Sequence, residues 1–280
     1  MVNSLVLLLL PLIGTLLTAQ TQDQQGFISL DCGLPANEQS PYKSTLGGMW
    51  FSSDEKFIQS GKSARVRNIP AGYTKQYETL RYFPDGIRNC YNLNVDKGRK
   101  YLIRAFFTYG NYDGRDTKPV FDLYLGPNLW ATIDLETLVN GTREDILHNP
   151  TSNSLHICLV KTGETTPMIS ALELRPMRND SYSTGSLKLL NSNYLSKSTS
   201  QIRYASDIYD RIWTPYFKRE WTQISTDLKV SNSNSYTPPG DVLKTAATPT
   251  NASAPLTIEW PYENPQDRYY LYAHFAEIQD

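Results

Sequence analysis

From residue 27 onward, apolar and polar side chains alternate with a period of two, the pattern of a strand with one face buried and one face wet. The spans 27–32, 90–95, 100–109, 120–125, 154–160, 169–175, 256–260 and 269–275 carry it most clearly and are predicted to be strands. Helical periodicity is nearly absent. Asp96-Lys97-Gly98-Arg99 separates two of these spans and predicts a hairpin over 90–109. Gly and Pro punctuation recurs at Pro84-Asp85-Gly86, Gly126-Pro127-Asn128, Lys161-Thr162-Gly163 and Pro238-Pro239-Gly240. Many short strands joined by such turns predict an all-β chain, an antiparallel β-sandwich or jelly roll.

The pattern breaks after Arg175-Pro176. From there to residue 200 the chain is polar and rich in Ser and Asn, with one apolar island at Leu187-Lys188-Leu189-Leu190, and ordered-looking sequence resumes at Ile202-Arg203-Tyr204. This divides the chain into a first domain over 27–176, a connector over 177–200 and a second domain over 201–280. An internal repeat agrees with the division. Tyr101-Leu102-Ile103-Arg104-Ala105-Phe106 lies over Tyr270-Leu271-Tyr272-Ala273-His274-Phe275 at a constant offset of 169, matching Tyr, Leu and Phe. If the second domain copies the first, the counterpart of residue 176 falls about 65 positions beyond Asp280, so the second domain is expected to be incomplete.

Charge removes one class of partner. Lys plus Arg number 27 against 28 for Asp plus Glu, and a net charge of -1 gives no electrostatic footprint for nucleic acid. Tyr is in excess, 19 against 9 Phe and 5 Trp, which suits half-buried positions where a ring packs and a hydroxyl meets water. The N-terminus predicts a secretory signal peptide over 1–20: an apolar core over 5–17, too short to span a bilayer, precedes the small residue Ala19. A secreted chain gives meaning to three glycosylation sequons, at Asn140, Asn179 and Asn251. It also allows a disulfide. Of Cys32, Cys90 and Cys158, the first shares the apolar face of its strand with Ile28 and Leu30, while the other two lie opposite their strands' apolar sets, so the pattern favours Cys90 with Cys158.

No nucleotide, hydrolase, zinc or kinase signature is present, and no metal or cofactor is expected. His156 and His274 alternate with apolar residues in their strands and read as sheet residues. Asp113, Asp122, Asp134 and Glu136 would make a glycosidase pair only at a spatial separation that sequence does not show. The segment densest in recognition chemistry is 106–115, where Tyr109, Asn111, Tyr112, Asp113 and Arg115 gather around two Gly. Rings stack on the C–H faces of a sugar while amide, carboxylate and guanidinium groups bond its hydroxyls, so these five are candidate ligand-binding residues. The plainer reading is that the two Tyr cover the sandwich edge and the rest make the turn.

Several strings carry a resemblance: residues 26–33 (Gly26-Phe27-Ile28-Ser29-Leu30-Asp31-Cys32-Gly33), Arg81-Tyr82-Phe83-Pro84-Asp85-Gly86-Ile87-Arg88-Asn89-Cys90-Tyr91, Tyr109-Gly110-Asn111-Tyr112-Asp113-Gly114, Phe121-Asp122-Leu123-Tyr124-Leu125-Gly126 and Ile169-Ser170-Ala171-Leu172-Glu173-Leu174-Arg175-Pro176. Together with the spans 207–213 and 273–277 they resemble the extracellular malectin-like region of plant leucine-rich-repeat receptor-like serine/threonine kinases. The resemblance implies tandem malectin-like β-sandwich domains, related to a lectin of glucose disaccharides, whose contact residues map here only onto the loop at 109–113. It implies a non-catalytic extracellular module for a cell-wall carbohydrate or a peptide ligand, with receptor-like kinase co-receptors as partners. The chain itself is expected in the apoplast and full-length relatives at the plasma membrane. In the family, leucine-rich repeats, a membrane span and a kinase follow this region. Without them, the chain is alternatively a soluble decoy or relic of such a receptor, and more remotely a carbohydrate-active enzyme.

Overall fold

The computed structural model describes residues 24–278 apart from positions 46, 68, 70, 71, 73, 138–140, 184 and 261–265. The expected signal peptide and Asn140 lie outside the described residues. In chain order the strands are β1 (Ile28–Asp31), β2 (Tyr42–Lys43), β3 (Trp50–Ser53), β4 (Lys62–Arg65), β5 (Thr79–Tyr82) and β6 (Arg88–Asn94). Next come β7 (Lys100–Phe107), β8 (Val120–Leu125), β9 (Asn128–Asp134), β10 (Thr142–His148), β11 (Ser154–Lys161) and β12 (Met168–Ile169). The remainder are β13 (Ala171–Met177), β14 (Leu187–Lys188), β15 (Asn193–Tyr194), β16 (Thr214–Pro215), β17 (Trp221–Ser225) and β18 (Thr245–Pro249). The chain is nearly all-β: among the described residues, helix is confined to Gly240–Leu243 and a 3₁₀ turn at Lys75–Tyr77.

A seven-stranded sheet in the order β14-β10-β7-β13-β1-β3-β2 faces a four-stranded sheet, β6-β11-β8-β9, and β12-β5-β4 form a third, smaller sheet. The core between them follows from alternation. Tyr91 and Leu93 of β6, Phe121 and Leu123 of β8, and Ile157 and Leu159 of β11 point inward and meet Ile103, Phe107, Leu172 and Leu174 from the larger sheet. On the other face of the four-stranded sheet, Cys90 and Cys158 stand directly opposite each other in the β6–β11 ladder and are joined by a disulfide. Cys32 is a buried free thiol.

Two expectations fail. The spans 90–95 and 100–109 do not form a hairpin: β6 pairs with β11 and β7 with β10 and β13, so residues 96–99 cross from one sheet to the other. Both strands bury an apolar face, and a crossover lets those faces meet across the core instead of lying side by side. The spans 256–260 and 269–275 enter no ladder among the described residues. Tyr270, Leu271 and Phe275 are exposed, Phe275 at 93%. A period-two pattern states which side chains share a face; it does not supply a neighbour for the main chain.

Strands β7 and β13 depart from the pattern in the other direction, being buried on nearly all sides. Their outer face is covered by residues 203–211. The stretch 177–200 is pinned to the sandwich as well. Its β14 extends the seven-stranded sheet beside β10, and the fully buried Lys100 ammonium donates to the carbonyls of Ser181, Tyr182 and Ser183.

Candidate functional site

The recognition loop begins where β7 ends, at Phe107, and is held from below. Thr108 N–H donates to Ser170 Oγ at 3.1 Å, and Gly110 C=O accepts from Arg67 N–H at 2.9 Å. Asn111 takes the left-handed backbone conformation, with φ 52°, which Asn tolerates better than most residues. Its amide oxygen accepts the Asp116 N–H at 3.1 Å, and its Nδ2 donates to the Asp116 carboxylate. The Tyr109 ring is buried in the core, and its hydroxyl donates to Asp113 Oδ1 at 2.6 Å, the same oxygen that receives the Arg115 N–H at 3.2 Å. Burial and the Asp113 bond push the Tyr109 hydroxyl pKa well up. Tyr112 is half-buried, packed against Tyr82 at 5.0 Å and edge-on to Tyr109 at 5.6 Å between ring centres.

The five candidate residues therefore come together, but mostly to satisfy one another. The two rings cap the core, and Asn111 and Asp113 close the turn. Asn111 and Tyr112 are half-buried, and Asp113 and Arg115 are exposed. Asn179 and Asn251 are exposed; Asn179 Oδ1 accepts the Lys100 N–H at 2.8 Å and Asn251 Oδ1 the Ser253 N–H at 3.0 Å. Asn179 also lines an open depression of about 630 Å³ with Lys97, Arg99, Met177, Arg178 and Asp180. Among the described residues, no group of three or more His, Cys, Asp or Glu side chains is arranged to hold a metal.

A second polar assembly lies elsewhere, on the outer face of the seven-stranded sheet. Asp145, Arg104 and Glu173 stand side by side on β10, β7 and β13. Arg104 Nε bonds Asp145 at 2.8 Å, and its Nη1 meets Glu173 at 3.2 Å. Into this row, and beside Arg175, the later chain inserts Asp210. Its carboxylate takes Arg203 through two bonds of 2.8 Å and Arg175 Nε at 3.0 Å, and its main-chain carbonyl accepts Arg104 Nη1 at 3.0 Å. Asp210 itself is left-handed, with φ 55°. Burial opposes its charge, but Arg203, Arg175 and Arg104 together hold the carboxyl well below the usual carboxylate range. Next to it Asp207 receives Arg211 Nε at 2.8 Å and the Trp213 indole N–H at 2.6 Å. The sequence holds a signal for this cluster, since Arg104, Glu173 and Arg175 interrupt apolar strands, but charges in a strand read as solvent-facing until a cover is known.

A family model described as the malectin-like domain matches residues 30–280. The chain belongs to the malectin-like family. A probable leucine-rich-repeat receptor-like serine/threonine-protein kinase of Arabidopsis thaliana is 63% identical over 279 residues, covering 99% of this malectin-like chain and 32% of the relative. A receptor-like protein kinase of the same plant is 66% identical over 264 residues, covering 93% of the chain and 30% of the relative. The chain thus spans about a third of the length of the curated relatives it matches.

Among solved structures, the plant receptor-like kinase FER superposes with a TM-score of 0.65 at 20% identity, over 78% of this chain and 64% of that one. The ANXUR2 extracellular domain from Arabidopsis thaliana gives 0.65 at 16%, over 78% and 65%. A structure of the plant peptide RALF23 in complex with FER and LLG2 gives 0.63 at 16%, over 80% and 65%. At these identities the likeness is one of fold. The malectin-like match occupies nearly all of the chain, and these 280 residues contain no kinase domain. No helix among the described residues is long and apolar enough to cross a membrane.

Proposed function

We propose that this malectin-like chain is an extracellular recognition module of a receptor-like kinase, built of units at 27–176 and 201–280, and that its ligand is a peptide presented with a co-receptor. The observation that carries the choice of ligand is the state of the 109–115 loop. Tyr109, Asn111 and Asp113 are bonded within the loop, so a sugar would have to displace internal hydrogen bonds to use them. The structural neighbour in complex with RALF23 and LLG2 lends the peptide reading support by analogy of fold. The secreted chain, glycosylated at Asn179 and Asn251 and at Asn140, is the material for the test. Applied to a glycan array it should give no signal above background, while co-precipitation with a secreted peptide library and candidate co-receptor ectodomains should recover a peptide-dependent complex.

One observation favours a second reading, a cell-wall carbohydrate. Tyr112 is half-buried and its neighbours Asp113 and Arg115 are exposed, an aromatic ring beside polar groups of the kind that bind a sugar. Glycan binding by the wild type that is lost in Tyr112→Ala, with unchanged thermal unfolding, would replace the peptide reading with this one.

A further inference from the structure

Asp31 ends strand β1 and is completely buried. Its carboxylate accepts two hydroxyl hydrogen bonds, from Tyr42 of β2 at 2.7 Å and from Thr79 of β5 at 2.6 Å, and among the described residues no cation is bonded to it. Asp54, equally buried, is the opposite case. Arg81 grips both its oxygens at 2.6 and 2.7 Å, and the Tyr91 hydroxyl and the Gly33 N–H complete its shell. The charge of Arg81 is thereby committed to Asp54. Lys75, on the 3₁₀ turn, lies over the Tyr42 ring at 4.4 Å but is paired with Glu38 at 3.0 Å. Glu78 and Glu38 both bear on Tyr42, and the Cys32 thiol shares the buried space with Asp31, Asp54, Arg81 and Tyr91. Asp31 is thus a fully buried carboxyl with no bonded cation among the described residues and with an acidic neighbour, which favours its neutral form although the two hydroxyl donors favour the charged one.

We propose that Asp31 is a proton-responsive fastener of edge strand β2: neutral, it keeps Tyr42 docked; charged, it drives β2 off the sheet edge and loosens the seat of Tyr204 in the later segment. Strand β2 has little main-chain pairing to lose. It has two residues and, among the described residues, pairs only with β3, Tyr42 opposite Phe51 and Lys43 opposite Trp50. Opening it would hydrate Asp31 without disturbing the β1–β13 ladder. The effect reaches the later segment because Tyr42, Met49 and Phe51 form one apolar cluster with Tyr204. Gly47 passes so near that a Cβ there would stand 2.3 Å from the Tyr204 carbonyl oxygen.

Burial pushes the Asp31 carboxyl up to about 6 from an ordinary 3.8, against the pull of the Thr79 and Tyr42 hydrogen bonds and with Asp54 adding to the rise. The closed form therefore holds its proton more tightly than the open form, and opening grows as pH rises. With these two values the opening equilibrium increases about tenfold between about pH 5 and 7.

The reporter is the Ser44 amide, which donates to Met49 C=O at 2.7 Å across the β2–β3 connection. In the full secreted chain, its hydrogen-exchange protection, corrected for intrinsic rate, should fall about tenfold from about pH 5 to 7 while amides of the β7–β13 ladder hold theirs. Asp31→Asn should make Ser44 protection independent of pH. A carbon-13 titration of the wild-type carboxyl should give a midpoint near 6, and this decides the matter even if the variant does not fold. Ser44 protection without pH dependence, the same dependence in Asp31→Asn, or an Asp31 midpoint in the ordinary carboxylate range would each overturn the proposal.

Discussion

Residues 100–107 and 270–275 carry matching sequence patterns, yet one is a strand buried at seven of its eight positions and the other lies in no sheet. The first has β10 on one side and β13 on the other. In the second, alternate side chains still sort by face: Tyr272 packs against Tyr182 and Tyr236 at 4.8 and 5.3 Å and His274 against Tyr236 at 5.5 Å, while Leu271 and Phe275 face outward. Alternation in both regions sorts side chains by face, but in the second the face carrying Leu271 and Phe275 is the exposed one. Whether a ladder forms depends on a neighbouring strand elsewhere in the chain. Between these extremes stand residues 203–213, which have almost no strand pairing but are anchored by buried charge.

The strongest way to break the comparison is to remove that anchor. Asp210→Ala leaves Arg104, Arg175 and Arg203 to share Asp145 and Glu173 in a buried site, and stranding buried charge costs about 3–5 kcal/mol. Residues 201–278 should then become protease-sensitive while the sandwich core stays resistant. An unfolding midpoint within about 0.5 kcal/mol of wild type would mean that apolar contacts such as the Tyr204 cluster hold the segment instead.

The disulfide offers the converse experiment, weakening the sandwich and leaving the anchor alone. Cys90 and Cys158 are 68 residues apart, and a cross-link of that span restricts the unfolded chain by about 4 kcal/mol. Cys90→Ser with Cys158→Ser should lower the urea midpoint accordingly, and loss of the β6–β11 ladder should precede release of 203–213. Release in the reverse order would show that the charge cluster is the weaker of the two.

Acidity separates the two buried carboxyls. Asp210 is depressed, so its contribution is present above the unfolded carboxylate range and lost as pH falls below about 4. Asp31 is raised, so its contribution is complete below 3.8 and lost as pH rises through about 6, a swing of about 3 kcal/mol. With these two contributions stability should therefore peak at about pH 4 and fall on either side. Asp31→Asn should flatten only the limb above the peak, and Asp210→Asn only the limb below it; urea midpoints from about pH 2 to 7 read both. A limb above the peak unchanged in Asp31→Asn would remove Asp31 from the account.

Much of the sandwich is legible because strands such as β6 and β8 bury one face. Strand β8 runs over the predicted 120–125, and β6 and β11 differ from expectation by one or two residues at their ends. What is not legible is which sheet each strand joins. Residues 96–99 suit a hairpin locally, and only the pairing of β6 with the distant β11 makes them a crossover. The outer face of β7 and β13 was hidden for the same reason, because Arg104 and Glu173 look wet until Asp210, 106 residues after Arg104, covers them. In the loop at 109–115 the residue types suggested a ligand, whereas the hydrogen bond from Tyr109 to Asp113 is a matter of geometry that composition cannot carry.

The smallest effect sharpens the comparison at its other end. If residues 269–275 are held only through the Tyr272 and His274 face, the outward side chains contribute little to folding. Leu271→Ser with Phe275→Ser should shift the unfolding midpoint by no more than about 0.5 kcal/mol, since both residues are already in water. Tyr272→Ala should do more, as it removes a ring touching Tyr182 and Tyr236 and a hydroxyl bonded to Ser183 N–H at 3.0 Å. A loss of 2 kcal/mol or so from the Leu271 and Phe275 pair would mean that the outward face is buried in solution, as a surface side chain rarely contributes that much. Outward and inward faces of one extended segment would then be equally engaged, and the contrast with β7 would reduce to the missing ladder alone.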